Sequence, residues 1–352
     1  GAKASVMVNS GSSANLAMIC ALKKYYGWKD GDEVIVSPVG FPTTIAPIVQ
    51  NGLKPVFVDI ETDTLNFDLY EIEKKITPKT VAVILSPVLG NPPDMDMLVQ
   101  ICKLNGVKLV LDNCDSLGSK WKGKYLNEYA CAASCSFYPA HHISTAEGGM
   151  VSGPKDLIDI ARRFAWWGRD CYCVGPANLL ECGTCGKRFD KWLPGYEGDI
   201  DHKYIFTDMG YNVKPLDLQG AIGIEQLAKF DDIHTNRRNS KTRLTEILHQ
   251  HEGLRVPDEL SHSHTSWFGT PVVCDQEVKA KLVSYLEEHG IQTRPYFAGN
   301  ILLHPGYKHL DDYTKYPEAT KVLDTVFFIG ASPHYNDSVF DYVEEVMSKW
   351  KL

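Results

Sequence analysis

The sequence predicts an α/β protein: a mainly parallel sheet flanked by helices, followed by a smaller C-terminal α+β unit. Continuous apolar runs of strand length recur at 5–8, 34–36, 56–60, 81–85 and 109–111, with helical patterns such as 72–76 and 97–102 between several of them. Unbroken apolar strands alternating with helices belong to sheets covered on both faces. After Phe230 the texture changes to a long helix carrying Leu244, Ile247 and Leu248, a strand-like 270–273, a helix over 278–286 and a final helix over 339–350. With 352 residues and 44% hydrophobic content, the chain can fill one large core and a second, smaller one. The expected division is a large domain 1–230, with a cysteine-rich insert at about 168–205, and a small domain 231–352.

The formal charge of −8 and the lack of a basic run argue against a nucleic-acid partner. No apolar stretch approaches the roughly 18 residues of a membrane span, and no secretory signal opens the chain. A strand begins almost at once, so a further N-terminal segment is expected to precede Gly1. The chain is too long to need its ten cysteines as disulfide staples. Cys20, Cys102, Cys131, Cys135 and Cys274 sit in apolar or helical contexts and read as core thiols. Cys171, Cys173, Cys182 and Cys185 crowd together, a pattern of metal ligation in a reducing, cytoplasmic compartment.

Taken in order, the first strand ends in a turn of small residues, Asn9-Ser-Gly-Ser-Ser-Ala, before a helix with Leu16, Ile19, Leu22 and Tyr26 near one face. Strand, glycine turn, helix points free N–H groups at a phosphate, although a serine N-cap explains the same residues. Phe41 stands in Gly-Phe-Pro-Thr-Thr, although an isolated Phe is more often core. Asp112 ends the apolar run of Leu-Val-Leu-Asp-Asn-Cys-Asp, and capping a turn is its alternative role. Ligands of parallel sheets gather beyond the carboxyl ends of the strands, and Ser12, Phe41, Asp112 and His141 all follow such ends.

The stretch around which the rest is organised is Ser136-Phe-Tyr-Pro-Ala-His-His-Ile-Ser-Thr-Ala-Glu-Gly-Gly. It reads as the end of a strand over 132–138, a polar turn, and a Glu-Gly-Gly loop into a strand at 150–152. No lysine lies between Lys124 and Lys155. An imidazole with an ordinary pKa of about 6.5 is mostly neutral near pH 7 and suits a general base. A helix over 156–166 then leads into the cysteine-rich segment, and Gly210-Tyr-Asn-Val-Lys precedes a helix running through Leu227.

These motifs, in this order, resemble the DegT–StrS family of pyridoxal-phosphate sugar-nucleotide aminotransferases, whose Ser-Phe-x-Pro-x-Lys loop carries the Schiff-base lysine. The resemblance implies a fold-type-I, aspartate aminotransferase-like transferase. It implies a cofactor phosphate at Ser12 and Ser13, Phe41 stacked on the pyridine ring, Asp112 at the ring nitrogen and Ser136 beside it. Asn212 and Lys214 would reach the phosphate from a second subunit, giving a homodimer with shared active sites; Lys214 replaces the usual arginine and loses its planar fork. His141 stands where the lysine belongs. The cofactor would therefore be pyridoxamine 5'-phosphate (PMP/PLP), bound without a covalent link, with His141 as the base and His142 as the other candidate.

Close thiols such as Cys171-x-Cys173 suit zinc or an iron–sulfur centre, and from spacing alone structural zinc is the plainer reading. The resemblance to a histidine-bearing dehydrase branch of the family implies a 2Fe–2S cluster on Cys114, Cys171, Cys173 and Cys185, with Cys182 in reserve. It further implies C3 dehydration of a CDP-4-keto-6-deoxyhexose in 3,6-dideoxyhexose biosynthesis, with electrons from a separate flavin/iron–sulfur NADH reductase. No Gly-x-Gly-x-x-Gly fingerprint competes with that external reductase. Arg294 and Asn300 are candidate substrate contacts. The alternatives are a cluster-free dehydratase that regenerates its amine from glutamate, and a zinc-stabilised, non-catalytic sugar-nucleotide-binding protein. A plain aminotransferase needs the lysine this loop lacks.

Overall fold

The computed structural model describes residues 2–171, 188–190 and 193–351. The first part of the chain runs β1 (Ala4–Val8), α1 (Gly11–Tyr26), β2 (Glu33–Val36), α2 (Pro42–Gln50), β3 (Lys54–Phe57), α3 (Leu69–Lys75), β4 (Thr80–Leu85), α4 (Met95–Leu104) and β5 (Lys108–Asp112). A small hairpin, β6 (Lys120–Trp121) and β7 (Lys124–Tyr125), precedes β8 (Ala132–Ser136), β9 (Gly149–Gly153) and α5 (Lys155–Ala165). The central sheet has the order β1-β9-β8-β5-β4-β2-β3; β8, β5, β4, β2 and β3 run parallel, while β9 is antiparallel to both its neighbours.

The strands alternate their side chains between two cores, as a pleated strand must. Val34, Val36, Ile84 and Val110 face α1, α2 and α5, whereas Ile35, Val83, Leu85, Leu109 and Leu111 face α3 and α4. The parallel, doubly covered sheet expected from the apolar runs is present. The third run differs: β3 covers 54–57 rather than 56–60, and Ile60 leaves the sheet to bridge Phe67. α1 is also not a one-sided helix, because Ala14, Ala17, Met18, Ile19, Ala21 and Leu22 are all buried between the sheet, α2 and α5.

Further along come α6 (Asp217–Leu227), α7 (Phe230–Leu248), β10 (Ser263–His264), β11 (Gly269–Val273), α8 (Gln276–Glu288), β12 (Thr293–Pro295), α9 (Pro317–Thr325), β13 (Val326–Gly330) and α10 (Asp337–Lys349). An antiparallel sheet of order β11-β13-β12 packs a third core against α7, α8 and α10. Tyr296, Ile301, Tyr316, Val322 and Phe328 also reach into the first core and fasten this sheet to the larger one. Among the described residues no helix is long and apolar enough to cross a membrane.

One close approach positions everything that follows. A Cβ on Gly149 would lie 2.2 Å from the Ser10 carbonyl oxygen, and one on Gly11 would lie 2.5 Å from Ser136 Cβ. The start of α1 is thus pressed against the β8–β9 hairpin, with backbone on both sides. Gly149→Ala should cost about 1–3 kcal/mol, read as a lower midpoint of chemical denaturation; an unchanged midpoint would show that the contact yields freely.

Candidate active site

Asp112 is the last residue of β5 and only 4% exposed. Its Oδ2 accepts from Asn15 Nδ2 of α1 (2.8 Å) and Thr44 Oγ1 of α2 (2.7 Å), and its Oδ1 accepts from the Cys114 backbone N–H (3.2 Å) and Ser134 Oγ (3.4 Å). Three elements of the sheet layer converge on one carboxylate. It lines a cavity of about 530 Å³ together with Ser12, Phe41, Ser136, Glu147 and His141.

The loop between β8 and β9 carries the imidazole. Phe137 N–H donates to Gly148 O and Thr145 N–H to Phe137 O, and His141 N–H closes a turn onto Tyr138 O, each at 2.9 Å. The His141 ring lies 5.2 Å, centroid to centroid, from Phe268, and its Nδ1 stands 3.5 Å from Asp115 Oδ1 without a hydrogen bond. Burial pushes the His141 pKa down to about 4, with the Asp112 carboxylate pulling the other way. Burial and the neighbouring Asp112 raise Asp115 to about 7. At neutral pH the imidazole carries no charge and can accept a proton. The two histidines differ in their surroundings: His142 is 3% exposed and its Nε2 pairs with the Ser266 carbonyl at 2.8 Å, away from the Asp112 cavity.

Ser10, not Ser12 or Ser13, caps α1, its Oγ accepting from Ser13 N–H at 3.1 Å. That cap engages Ser13, whereas Ser12 lines the cavity and, in the first helical turn, keeps a free backbone N–H for an anion. Phe41 caps α2 and is 55% exposed, presenting its ring to the same cavity. A buried acceptor carboxylate, an imidazole nitrogen without a partner, a helix start and an exposed aromatic ring together fit a phosphorylated pyridine cofactor.

A second cavity of about 1000 Å³ shares Phe41, Ala140, His141, Phe268 and Phe297 with the first and extends to Gln292, Arg294 and His334. Arg294 is therefore on a wall where a substrate would lie. Asn300 is not: it is fully buried, its amide donates to Thr320 Oγ1 (3.0 Å), and its Oδ1 accepts from Leu302 N–H (3.1 Å), so its polar atoms hold a turn. Asn212 and Lys214 line a separate hollow with Trp166, and Lys214 Nζ rests 3.9 Å from the centre of the Trp167 ring. A single chain does not bring them to Asp112.

Of the cysteines read as ligands, Cys114 lines the Asp112 cavity, and burial with the Asp112 charge raises its thiol pKa. The Cys171 sulfur is 3.0 Å from His202 Nε2. Cys173, Cys182 and Cys185 lie outside the described residues. Among the described residues no three His, Cys, Asp or Glu side chains group as a metal site. Cys20, Cys102, Cys135 and Cys274 are buried thiols, and Cys131 is half-buried. Sequence reasoning missed Asn15, Thr44, Asp115, Phe268 and Arg237. Only Thr44 and Asp115 carried a signal, through the motifs of Phe41 and Asp112.

The profile of the DegT/DnrJ/EryC1/StrS aminotransferase family matches residues 1–348. The chain is 40% identical to dTDP-4-dehydro-2,6-dideoxy-D-glucose 3-dehydratase of Saccharopolyspora spinosa, over 98% of this chain and 76% of that protein. It superposes on Escherichia coli GDP-4-keto-6-deoxy-D-mannose-3-dehydratase with bound hydrated PLP at a TM-score of 0.85 and 31% identity, covering 99% of this chain and 88% of that one. A structure of GDP-4-keto-6-deoxymannose-3-dehydratase with a trapped PLP-glutamate geminal diamine gives 0.84 and 30%, covering 99% and 89%.

The buried imidazole links stability to pH. Its folded pKa of about 4 lies below the ordinary 6.5, so the unfolded chain binds the proton first and stability falls as pH drops from 6.5 toward 4. Relative to His141→Gln, cofactor-free wild type should lose up to about 3 kcal/mol over that window. Parallel melting curves at pH 7 and 4.5 check this, and parallel losses in both proteins would refute it.

Proposed function

Because the chain belongs to the DegT/DnrJ/EryC1/StrS aminotransferase family, we propose that it is a pyridoxamine-phosphate-dependent 3-dehydratase of a nucleotide-linked 4-keto-6-deoxy sugar. One observation carries the reading: His141 lines the cavity under Asp112, and among the described residues no lysine does. The named relatives are 3-dehydratases of such sugars.

When bound, the cofactor supplies an amine for the sugar ketone and a ring that accepts the electrons released on deprotonation. Asp112, fixed by Asn15 and Thr44, would hold the ring nitrogen in its protonated form. The start of α1 at Ser12 would hold the phosphate, and Phe41, which lines the same cavity, would meet the ring. His141, held neutral in this cavity, would be the group that accepts the proton released from the cofactor's methylene carbon. Loss of the C3 hydroxyl as water needs a proton, and the imidazolium so formed holds one beside it. Phe268 and Phe297 exclude solvent from that exchange.

The finer assignments rest on narrower support. We propose a CDP-linked substrate and Arg294 as a contact to it, on the resemblance and on the position of Arg294 in the larger cavity. A 2Fe–2S relay from a flavin/iron–sulfur NADH reductase, on Cys114, Cys171, Cys173 and Cys185 with Cys182 in reserve, is proposed on the resemblance alone. The second reading, a cluster-free enzyme that recovers its amine from glutamate, is favoured by the likeness to the structure holding PLP and glutamate. A homodimer is supported by α6, which buries none of its residues within the chain and exposes Leu218, Ile224 and Leu227 beside Asn212 and Lys214. We place the border of the small domain near residue 230.

His141→Gln should lower dehydration by about 10²- to 10⁴-fold while PMP still binds, measured as turnover of CDP-, GDP- and dTDP-4-keto-6-deoxyhexoses. Turnover near wild type would remove His141 from the chemistry. Iron and acid-labile sulfide in anaerobically purified protein should be stoichiometric with active sites; active, iron-free protein that consumes glutamate would establish the second reading.

A further inference from the structure

Arg237 lies on α7, is 6% exposed, and is held entirely by backbone carbonyls. Its Nη2 donates to His141 O (3.0 Å) and Ala140 O (3.4 Å), and its Nη1 donates to Phe268 O and Ala331 O (3.2 Å each). One planar fork thus joins the imidazole loop, the turn entering β11 and the turn leaving β13. The ring of Phe268, one of the residues it holds, is the ring lying against His141. We infer that Arg237 is the positioning residue for His141, clamping the backbone beneath the imidazole and the aromatic wall beside it in one fixed relation. The inference rests on the reading of His141 as the proton acceptor.

A merely structural tie would not need a charge. Among the described residues the guanidinium hydrogen-bonds only backbone carbonyls, the acid whose charge it feels being Asp115, and a buried cation is costly to keep. The charge does reach His141. The titratable and charged groups facing that ring are Asp112 at the end of β5, Asp115 just beyond it, Tyr138 and His142 from its own loop, and Arg237 from α7. Burial is the main cause of the imidazole's neutrality; the positive charge of Arg237 adds to it, and the Asp112 carboxylate opposes it. The same residue therefore fixes where the base stands and helps keep it unprotonated. Lysine cannot replace the fork, because a point charge cannot span four carbonyls in a plane.

The test compares Arg237→Gln, Arg237→Lys and, as a control on the same helix, Arg238→Gln. Arg238 pairs with Glu259 and the Thr265 carbonyl, so its loss should lower stability and leave kcat unchanged. Both Arg237 variants should lose about 10²-fold in kcat, with the substrate KM within a few-fold of wild type. In cofactor-free protein labelled with 13C at histidine Cε1, the His141 titration midpoint should rise in Arg237→Gln and stay low in Arg237→Lys. A wild-type kcat in either variant, a loss confined to KM, or an unmoved midpoint in Arg237→Gln overturns the assignment. Should Arg237→Gln fail to fold, the kcat of Arg237→Lys decides. Full activity in His141→Gln would instead defeat the functional reading, while the midpoint would still report on the coupling of Arg237 to His141.

Discussion

A carboxylate sealed at the end of a parallel strand is an unstable thing to build unless its oxygens are engaged, since desolvating the charge costs several kcal/mol. Asp112 meets that demand with an amide from α1, a hydroxyl from α2, a backbone N–H from its own turn and a hydroxyl from β8. The demand and the architecture are one fact. α1 and α2 must end their approach to the sheet where Asn15 and Thr44 can reach β5, and β8 must lie beside β5 with Ser134 opposite Asp112. The helix start, the aromatic at Phe41 and the imidazole loop then surround a single hollow because the elements that carry them are already committed to the same carboxylate.

The parallel sheet was legible in the sequence because buried parallel strands leave a plain trace: 34–36, 81–85 and 109–111 are apolar on both faces. Ser12, Phe41, Asp112 and His141, each at or just past the end of a strand, line one cavity, as the strand-end rule leads one to expect. What escaped reading was set by tertiary contact. α2 carries Pro47 in its interior and reads as a break. β13, the middle strand of the second sheet, follows α9 with no turn residue between them. Asn300 follows a glycine and looks like a loop residue, yet its amide is engaged by Thr320 and Leu302. Asn15 looks like any polar residue on a helix until the helix is laid against β5. Arg237 shares a dipeptide with Arg238, and nothing local says which of the two is buried.

The wall between the two cavities carries its own constraint. Phe297 holds a left-handed backbone with φ of 50°, a conformation that costs an ordinary residue about 1–3 kcal/mol. Its ring stacks on Phe328 (5.8 Å) and lies 6.4 Å from Phe268, so packing on the aromatic side offsets the backbone cost. The result is a rigid apolar partition at the point where His141 faces both hollows. An imidazole in such a place is kept neutral by burial, and its protonation follows from the neighbours of the loop more than from the bulk solvent.

The hairpin that bears His141 is pinned at both feet, Ser136 opposite Gly149 in the antiparallel ladder, with the glycine jammed against the start of α1. Such a mount is indifferent to its passenger. Exchanging the side chain at position 141 leaves the span and pitch of the loop alone, so one scaffold can serve a tethering amine or a free-standing imidazole. Divergence from group transfer to water elimination then takes a change of reagent on an unaltered bracket, with no redesign of the frame.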